Sequence, residues 1–243
     1  MDLGLRDHVC LVTGSTAGIG RETAELLRAE GAIVVTTGRS GGDIQADLAR
    51  AGEPERVVRE VEERHGRIDV LVNNVGGTEI RKLEELTDAD WQASFELNLM
   101  TAIRATQAAL PGMRARRSGT IVNVSSTAAK RPSSSMPEYS VMKAAMLSYS
   151  RLVADLYAKD GVRCNAVTPG PTATGAWIGD GGLADQQGAR DEVLAKVGAG
   201  RPLGRLAEPV EIAAVIAFLC SARSSYVTGA AWSADGGTVP III

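Results

Sequence analysis

A tyrosine and a lysine four residues apart, Tyr139 and Lys143, are the side chains of this sequence best suited to proton chemistry. Residues with this spacing lie on one face of a helix. A free tyrosine has a pKa of about 10 and is a poor base at neutral pH, but a neighbouring ammonium favours the phenolate. The pair can therefore exchange a proton with an alcohol or carbonyl oxygen. Because isolated pairs of this kind are mostly accidental surface contacts, other positions must support the interpretation.

Ser126 stands thirteen residues before Tyr139, just past a predicted strand over residues 120–124. Open α/β sheets bind ligands at the carboxyl ends of their strands. The Ser126 hydroxyl is therefore placed to hold a substrate oxygen. Taken alone, Ser125 and Ser126 are better explained as the end of a strand or the cap of a helix.

A glycine-rich turn, TGSTAGIG at residues 13–20, follows the first predicted strand and opens the first predicted helix. Glycines permit a tight turn and close approach of a pyrophosphate to the backbone, and the helix N-terminus supplies free N–H groups. A glycine-rich turn by itself is weak support. Its position between a strand and a helix favours dinucleotide binding.

Short runs rich in Val and Ile alternate with helical patterns along the chain. Alternating units of this kind predict a single-domain, doubly wound parallel sheet of about seven strands, a Rossmann fold with helices on both faces. We predict one domain over residues 1–243, with a lid insertion at about 171–204. The predicted strands are 8–13, 32–37, 68–72, 120–124, 162–167 and 230–234, and the predicted helices are 18–30, 55–65, 88–117, 137–159 and 208–221.

Composition narrows the function classes. The net charge is −3 without a block of like charge, so nucleic acid and anionic membrane are poor candidate partners. The N-terminus does not resemble a signal peptide, and we expect no membrane span. Three cysteines without metal-ligand spacing and two histidines predict no metal site. Buried, reduced thiols and a cytoplasmic protein are the expectation.

Taken together, the motifs resemble those of the short-chain dehydrogenases/reductases along the whole chain. TGSTAGIG matches the family's TGxxxGIG. NNVG at residues 73–76 matches NNAG, with Val75 in place of alanine, which should shift the packing modestly. Ser126, Tyr139 and Lys143 match the catalytic residues in type and spacing, and Asn98 falls where the family carries a catalytic asparagine. NAVTPG at residues 165–170 and DGG at 235–237 match later signatures.

The resemblance implies an oxidoreductase that transfers a hydride between a nicotinamide and a carbonyl or secondary alcohol. Tyr139 would be the general acid of reduction and the base of oxidation. Lys143 would hold the nicotinamide ribose and lower the pKa of Tyr139. Ser126 would polarise the substrate carbonyl, and Asn98 would hold a water that links Lys143 to solvent.

The resemblance also implies a cofactor site and a homotetramer. Tetramer formation would pair helices 88–117 and 137–159 across a two-fold axis and pack the apolar tail, residues 239–243, into an interface. Besides Tyr139 and Lys143, the implied cofactor residues are Gly14, Ser15, Gly18, Ile19, Gly20, Arg39, Asp47, Leu48, Asn74, Gly76, Pro169, Gly170, Thr172 and Thr174.

The end of the second strand predicts a preference for NADP(H), with NAD(H) possible. Folds that use NAD usually place a carboxylate there. Here Gly38 takes that place, and the Arg39 guanidinium that follows can pair with a 2′-phosphate. Asp43 is a nearby acid that could still reach the ribose. The short loop at residues 40–46 has no room for a helix and should leave the adenosine side of the pocket more open. By the resemblance, Asp47 and Leu48 would follow this loop at the adenine.

Two other functions remain open at this stage. One is a carrier-protein-dependent 3-oxoacyl reductase, for which Arg114, Arg116 and Arg117 could receive an acidic partner, although cations also suit a helix C-terminus. The other is a non-catalytic dinucleotide sensor, because fold does not fix function. Trp177 and Ile178 in the lid suggest an apolar contact, and the substrate itself stays undetermined.

Overall fold

The computed structural model describes residues 2–240, which form one α/β sheet structure. The sheet confirms the predicted single-domain Rossmann fold, with eight strands instead of about seven. The strands are β1 (Val9–Val12), β2 (Ile33–Gly38), β3 (Gly41–Gly42), β4 (Ile44–Gln45), β5 (Val70–Asn73), β6 (Gly119–Val124), β7 (Val162–Pro169) and β8 (Ala231–Ala234). The helices are α1 (Gly18–Ala29), α2 (Glu53–His65), α3 (Asp88–Phe95), α4 (Thr101–Arg116), α5 (Pro137–Tyr157), α6 (Gly175–Ile178), α7 (Arg190–Ala199) and α8 (Pro209–Cys220).

The strand order is β3-β2-β1-β5-β6-β7-β8, and β4 also pairs with β2. Every pairing except β2 with β3 is parallel. The chain leaves β1 toward β2 on one side and returns to β5 on the other. The carboxyl ends of β1 and β5 therefore flank the switch point where such sheets bind ligands.

Successive residues of the strands point to opposite faces, and helices cover both. On one face Leu11 and Ile121 pack in a buried cluster with side chains of α2, α4 and α5. On the other face Cys10 and Val122 pack with side chains of α1 and α8. Burial on both faces explains why the strand sequences lack alternation.

The helix predicted over residues 88–117 is wrong as one continuous helix. A five-residue π-helical turn, Glu96–Met100, separates α3 from α4. Such turns insert into helices mostly at functional sites. This one contains Asn98, and no glycine or proline in the sequence marks the interruption.

Two loop predictions have different outcomes. The segment 171–204, predicted to be largely irregular, contains the short helices α6 and α7. The loop at 40–46 holds two-residue strands and no helix, as its length predicted. Helix α2 begins at Glu53, two residues before the prediction, because Pro54 can occupy the first helical turn.

Candidate active site

The turn between β1 and α1 allows close approach to its backbone. Gly14 and Gly18 have φ angles of 60° and 56°, in a region that residues with a side chain rarely adopt. A Cβ atom on Gly20 would lie 2.5 Å from the Gly14 carbonyl oxygen, so this helix–turn contact requires glycine. No side chain caps the first turn of α1. Its N–H groups therefore suit a phosphate group.

Two polar residues predicted to contact a cofactor hold this turn together. The Asn74 amide donates hydrogen bonds to the carbonyl oxygens of Thr13 (3.1 Å) and Gly14 (2.9 Å). The Ser15 hydroxyl donates to the Val12 carbonyl (2.6 Å), and the Ser15 N–H donates to a carbonyl of β2. The polar groups of Asn74 and Ser15 thus shape the turn, which the sequence pattern did not reveal.

Gly76, Asn98 and Lys143 meet beside the carboxyl end of β5. A Cβ atom on Gly76 would lie 2.9 Å from the Lys143 Nζ and 3.0 Å from the Asn98 Oδ1. The Asn98 Oδ1 accepts from the Gly77 N–H (2.9 Å), and its Nδ2 donates to the Gly77 carbonyl (2.9 Å). The π-helical turn therefore clamps the loop after β5 against Lys143.

Lys143 is a buried cation, with 2% of its surface exposed. Its Nζ donates a hydrogen bond to the Val124 carbonyl (3.0 Å) and lies 5.6 Å from the centroid of the Tyr139 ring. Burial lowers the pKa of Lys143 to about 8, because a low-dielectric surrounding disfavours the charged form.

Tyr139 is half-buried one helical turn before Lys143. Burial raises the pKa of its phenol, and a hydrogen bond with Ser126 opposes that rise. Burial is the largest influence on this phenol, and the expectation that Lys143 lowers the pKa of Tyr139 stays a prediction. The phenol keeps its proton at neutral pH, as a general acid requires.

The Ser126 hydroxyl caps a turn and also lies beside Tyr139. Its hydroxyl accepts from the Ala128 N–H (3.1 Å) and so caps a short 3₁₀ turn. The same hydroxyl lies near the Tyr139 phenol and lowers its pKa. Two hydroxyl groups are thus held together where a substrate oxygen could accept a bond from each.

The loop after β7 contacts the glycine turn. The Thr174 Cγ2 lies 3.1 Å from the Cβ position of Gly18. The Thr172 hydroxyl donates to the Gly170 carbonyl (2.9 Å), which fixes the loop after Pro169. The predicted residues of this loop are thereby brought to the same edge of the sheet as the glycine turn.

Three predicted cofactor contacts are less direct. Leu48 is buried in the core, so a surface ligand could reach its main chain but not its side chain. Ile19 packs against the core face that α1 and α8 cover. The Asp47 carboxylate accepts from the Ala49 N–H (3.3 Å) and lies 3.5 Å from the Arg50 Nε.

The end of β2 presents an exposed cation, and the acid nearest to it is already paired. A Cβ atom on Gly38 would lie 2.5 Å from the Thr16 Cγ2, so Thr16 fills the space of a larger side chain there. The Arg39 side chain is exposed. The Asp43 carboxylate accepts from the N–H (2.8 Å) and hydroxyl (2.7 Å) of Thr36 and lies 3.5 Å from Arg28. Although partial burial opposes it, these bonds lower the pKa of Asp43.

Across residues 2–240 we find no group of three His, Cys, Asp or Glu side chains that could hold a metal ion. Within the same part of the chain, no helix is long and apolar enough to cross a membrane.

Comparison with known proteins decides the family. A family model described as Enoyl-(Acyl carrier protein) reductase matches residues 14–239. The chain is 35% identical to the 3-oxoacyl-[acyl-carrier-protein] reductase FabG of Thermotoga maritima, covering 97% of this chain and 99% of that protein. It is 36% identical to the 7alpha-hydroxysteroid dehydrogenase of Clostridium sardiniense, covering 96% and 94%. The structure of L-sorbose reductase from Gluconobacter frateurii, complexed with NADPH and L-sorbose, superposes with a TM-score of 0.91 at 32% identity and covers all of both chains.

The chain is a short-chain dehydrogenase/reductase.

This short-chain dehydrogenase/reductase is an oxidoreductase of the class that acts on CH–OH and C=O groups. Its fold brings most of the residues expected from the resemblance to one edge of the sheet. The side chains of Leu48 and Ile19 are exceptions, because they pack in or against the core.

The lid segment touches the loop after β5. The Gln186 Oε1 accepts from the Ile80 N–H (2.8 Å), and its Nε2 donates to the Gly181 carbonyl (2.9 Å). Arg190 pairs with Asp180 (2.9 Å) and Asp185 (2.6 Å) within the segment. The hydrogen bonds from Arg190 lower the pKa of Asp185 to about 2.

Sequence reasoning missed Thr16 and Gln186. Thr16 lies inside the glycine motif, so its position next to Gly38 could have been suspected from the motif's place beside β2. Gln186 lies in a segment without periodicity or motif, and its partner is 106 residues away. No local signal identifies such a contact.

Proposed function

We propose that this short-chain dehydrogenase/reductase prefers NADP(H) and interconverts a small-molecule carbonyl with its secondary alcohol through Asn98, Ser126, Tyr139 and Lys143. The observation that carries the proposal is the approach of Lys143 and Asn98 to Gly76, with the Tyr139 ring 5.6 Å from the Lys143 Nζ. Ser126 lies near enough to the Tyr139 phenol to lower its pKa. A nicotinamide dinucleotide fits this edge of the sheet, because the main chain of the glycine turn and of Gly76 is accessible. A side chain at these positions would obstruct its approach.

When bound, the nicotinamide supplies or accepts the hydride. In reduction the Tyr139 hydroxyl donates its proton to the carbonyl oxygen, and the Ser126 hydroxyl donates a hydrogen bond to that oxygen. In oxidation Tyr139 takes the proton back. Lys143 would hold the ribose hydroxyls, and Asn98 would hold a water between Lys143 and solvent.

The proposed preference for NADP(H) is supported by the end of β2. Arg39 is exposed there, and Thr16 occupies the space beside Gly38 where a carboxylate would otherwise stand. Asp43, the rival acid, is engaged by Thr36 and Arg28. A guanidinium can bind a 2′-phosphate through two hydrogen bonds. We expect Arg39→Ala to abolish the preference in kcat/KM, with Arg39→Lys keeping part of it. A wild type that prefers NADH would contradict the proposal.

The similarity to FabG supports reduction of a carrier-bound 3-oxoacyl group as a second candidate. The cluster of Arg114, Arg116 and Arg117 does not add support to this second candidate. Arg114 bonds Asp160 (2.7 Å) and Arg116 bonds the Ile68 carbonyl (2.7 Å). The cluster comes just before the first residue of β6, whereas Ser126 comes just after the last residue of the same strand. A six-residue strand spans about 20 Å, so this cluster lies at the edge of the sheet opposite to Ser126.

One panel tests these alternatives. Small ketones, a keto sugar, a keto steroid and a 3-oxoacyl thioester, both free and on a carrier protein, are offered with NADPH and with NADH. Turnover of free small carbonyls supports the main proposal, and turnover confined to the carrier-bound thioester supports the second. Tight cofactor binding without turnover of any substrate would instead indicate a sensor.

A homotetramer and a cytoplasmic location are also proposed. Val141, Leu152 and Leu156 form an exposed apolar stripe along α5, which suits pairing across a two-fold axis. Residues 241–243 of the apolar tail lie outside the described residues. The three cysteines are free and buried, as suits a reducing compartment. Light scattering of the cofactor-free protein tests the tetramer, and a monodisperse monomer at micromolar concentration would exclude it.

The lid function of residues 171–204 is a proposal as well. The Gln186–Ile80 hydrogen bond supports it, because it joins this segment to the loop that follows β5.

A further inference from the structure

Asn123, in the middle of β6, is completely buried and joins neighbouring elements through its carboxamide. Its Oδ1 accepts from the Asn73 Nδ2 (2.8 Å), and Asn73 is its direct partner in β5. Its Nδ2 donates to the Ser150 hydroxyl of α5 (2.8 Å). One side chain thus connects two strands and a helix.

The connection continues into α4. The Asn73 Nδ2 also donates to the Thr106 hydroxyl (3.1 Å), and Thr106 is fully buried. The Ser150 hydroxyl in turn donates to the Met146 carbonyl (2.7 Å), which ties the network to the α5 backbone. We call Asn73, Thr106, Asn123 and Ser150 the buried polar network.

Each element of the buried polar network leads to a residue of the proposed site. The strand β5 leads to Gly76, and β6 leads to Ser126. The helix α5 carries Tyr139 and Lys143, and α4 continues directly from the π-helical turn that holds Asn98. The network therefore links the four elements that position the proposed catalytic groups.

Hydrogen bonds constrain these elements more tightly than apolar packing would. Apolar contacts are non-directional and tolerate small shifts, whereas a buried donor or acceptor that loses its partner is strongly penalised. A sliding motion of α4 or α5 against the sheet would break at least one bond of the network. In a low-dielectric interior such networks favour one arrangement.

We propose that the buried polar network positions the catalytic groups, with Asn123 as its central residue and Thr106 and Ser150 as its anchors on the helices. Its members are positioning residues, since they act through the elements that carry Ser126, Tyr139 and Asn98. The proposal rests on the proposed function. Displacements of about 1 Å can cost on the order of 10²-fold in rate, so loss of a network bond should lower kcat.

The test uses a matched pair at Thr106. Thr106→Val removes the hydroxyl at nearly constant shape, and Thr106→Ser keeps it. We expect Thr106→Val and Ser150→Ala to lower kcat about tenfold or more, with cofactor Kd within about twofold of wild type. Thr106→Ser should be close to wild type. Asn123→Ala, which removes the central residue, should also lower kcat. If that variant fails to fold, the Thr106 and Ser150 variants still test whether the network positions the catalytic groups.

Ser224→Ala is the control for stability. Ser224 is equally buried, and its hydroxyl donates to two carbonyls near the end of α8, away from the network. At a comparable fall in Tm, Ser224→Ala should keep the wild-type kcat. Wild-type kcat in Thr106→Val and Ser150→Ala, or an equal loss in Ser224→Ala, would overturn the proposal.

A spectroscopic readout separates this proposal from the proposed function. The ultraviolet absorbance of each protein is measured as a function of pH, with and without the added substitution Tyr139→Phe. The difference between the two curves reports the titration of Tyr139. Thr106→Val should shift that titration, and Ser224→Ala should not. If the wild type turns over no carbonyl, the proposed function fails, while an unshifted titration in Thr106→Val overturns the positioning role by itself.

Discussion

The ammonium of Lys143 donates a 3.0 Å hydrogen bond to the carbonyl oxygen of Val124, the last residue of β6. Because Ser126 follows two residues later, the bond ties the helix that carries Tyr139 to the strand end that carries Ser126. This bond therefore fixes the positions of the Tyr139 and Ser126 hydroxyl groups, which are proposed to face a substrate oxygen, relative to each other.

Burial of Lys143 predicts a specific pH dependence of stability. Its pKa is lowered to about 8 in the folded chain, against about 10.4 when unfolded. The unfolded state thus binds more protons between these values, and the cost of burying the charge is relieved as pH rises.

Relative to Lys143→Met, the free energy of unfolding of the cofactor-free wild type should therefore increase by roughly 2–3 kcal/mol from pH 8 to 10.5. Urea unfolding of both proteins across this range measures the difference. A constant or decreasing difference would show that Lys143 is not desolvated as the structure indicates.

Gly20→Ala should damage cofactor binding and stability together. The added Cβ would lie 2.5 Å from both the Gly14 carbonyl oxygen and the Asn74 Nδ2. Overpacking of this kind typically costs about 1–3 kcal/mol. Gly175→Ala, where nothing lies within 4 Å of the new Cβ, is the control. Thermal unfolding and cofactor titration measure both effects, and equal behaviour of the two variants would refute the prediction.

Cofactor preference should reverse only when the end of β2 is altered at two positions. Gly38→Asp alone would place its Cβ 2.5 Å from the Thr16 Cγ2. We expect Gly38→Asp with Thr16→Ala to favour NADH in kcat/KM, because the carboxylate then has room and repels a 2′-phosphate. If the single Gly38→Asp variant switches equally well, Thr16 does not restrict this corner.

Loss of the Gln186–Ile80 hydrogen bond should speed cofactor release. Gln186→Ala removes the bond that joins the lid segment to the loop after β5. Gln187→Ala is a neighbouring control, since Gln187 donates to the Leu183 carbonyl within the segment. Stopped-flow fluorescence should give a cofactor dissociation rate several-fold higher for Gln186→Ala alone. Equal rates in the two variants would mean that this contact does not restrain the lid.

The sequence predicts the fold well because strands buried on both faces and the glycine turn are local signals. It also yields the proposed catalytic residues, because their spacing within α5 and after β6 is a local property. The π-helical turn around Asn98 was not predictable from the sequence, because no glycine or proline marks it and α3 has no apolar stripe whose register could break.

Other features depend on contacts between distant segments. Asn74 was expected among the cofactor residues, and its amide also donates a hydrogen bond to the carbonyl of Gly14, sixty residues earlier. The pKa of Tyr139 follows burial, which a pair of residues on a helix does not reveal. Such properties arise from tertiary packing, so the spacing of residues along the chain does not predict them.

The most direct test of the proposed mechanism is the kcat of Tyr139→Phe on a carbonyl that the wild type reduces well. Phenylalanine keeps the ring and its packing but removes the proton. General acid–base catalysis contributes about 10² to 10⁴ in rate. We therefore predict a loss of at least roughly 10²-fold in kcat with cofactor Kd nearly unchanged. Turnover by Tyr139→Phe close to the wild-type rate would contradict the account.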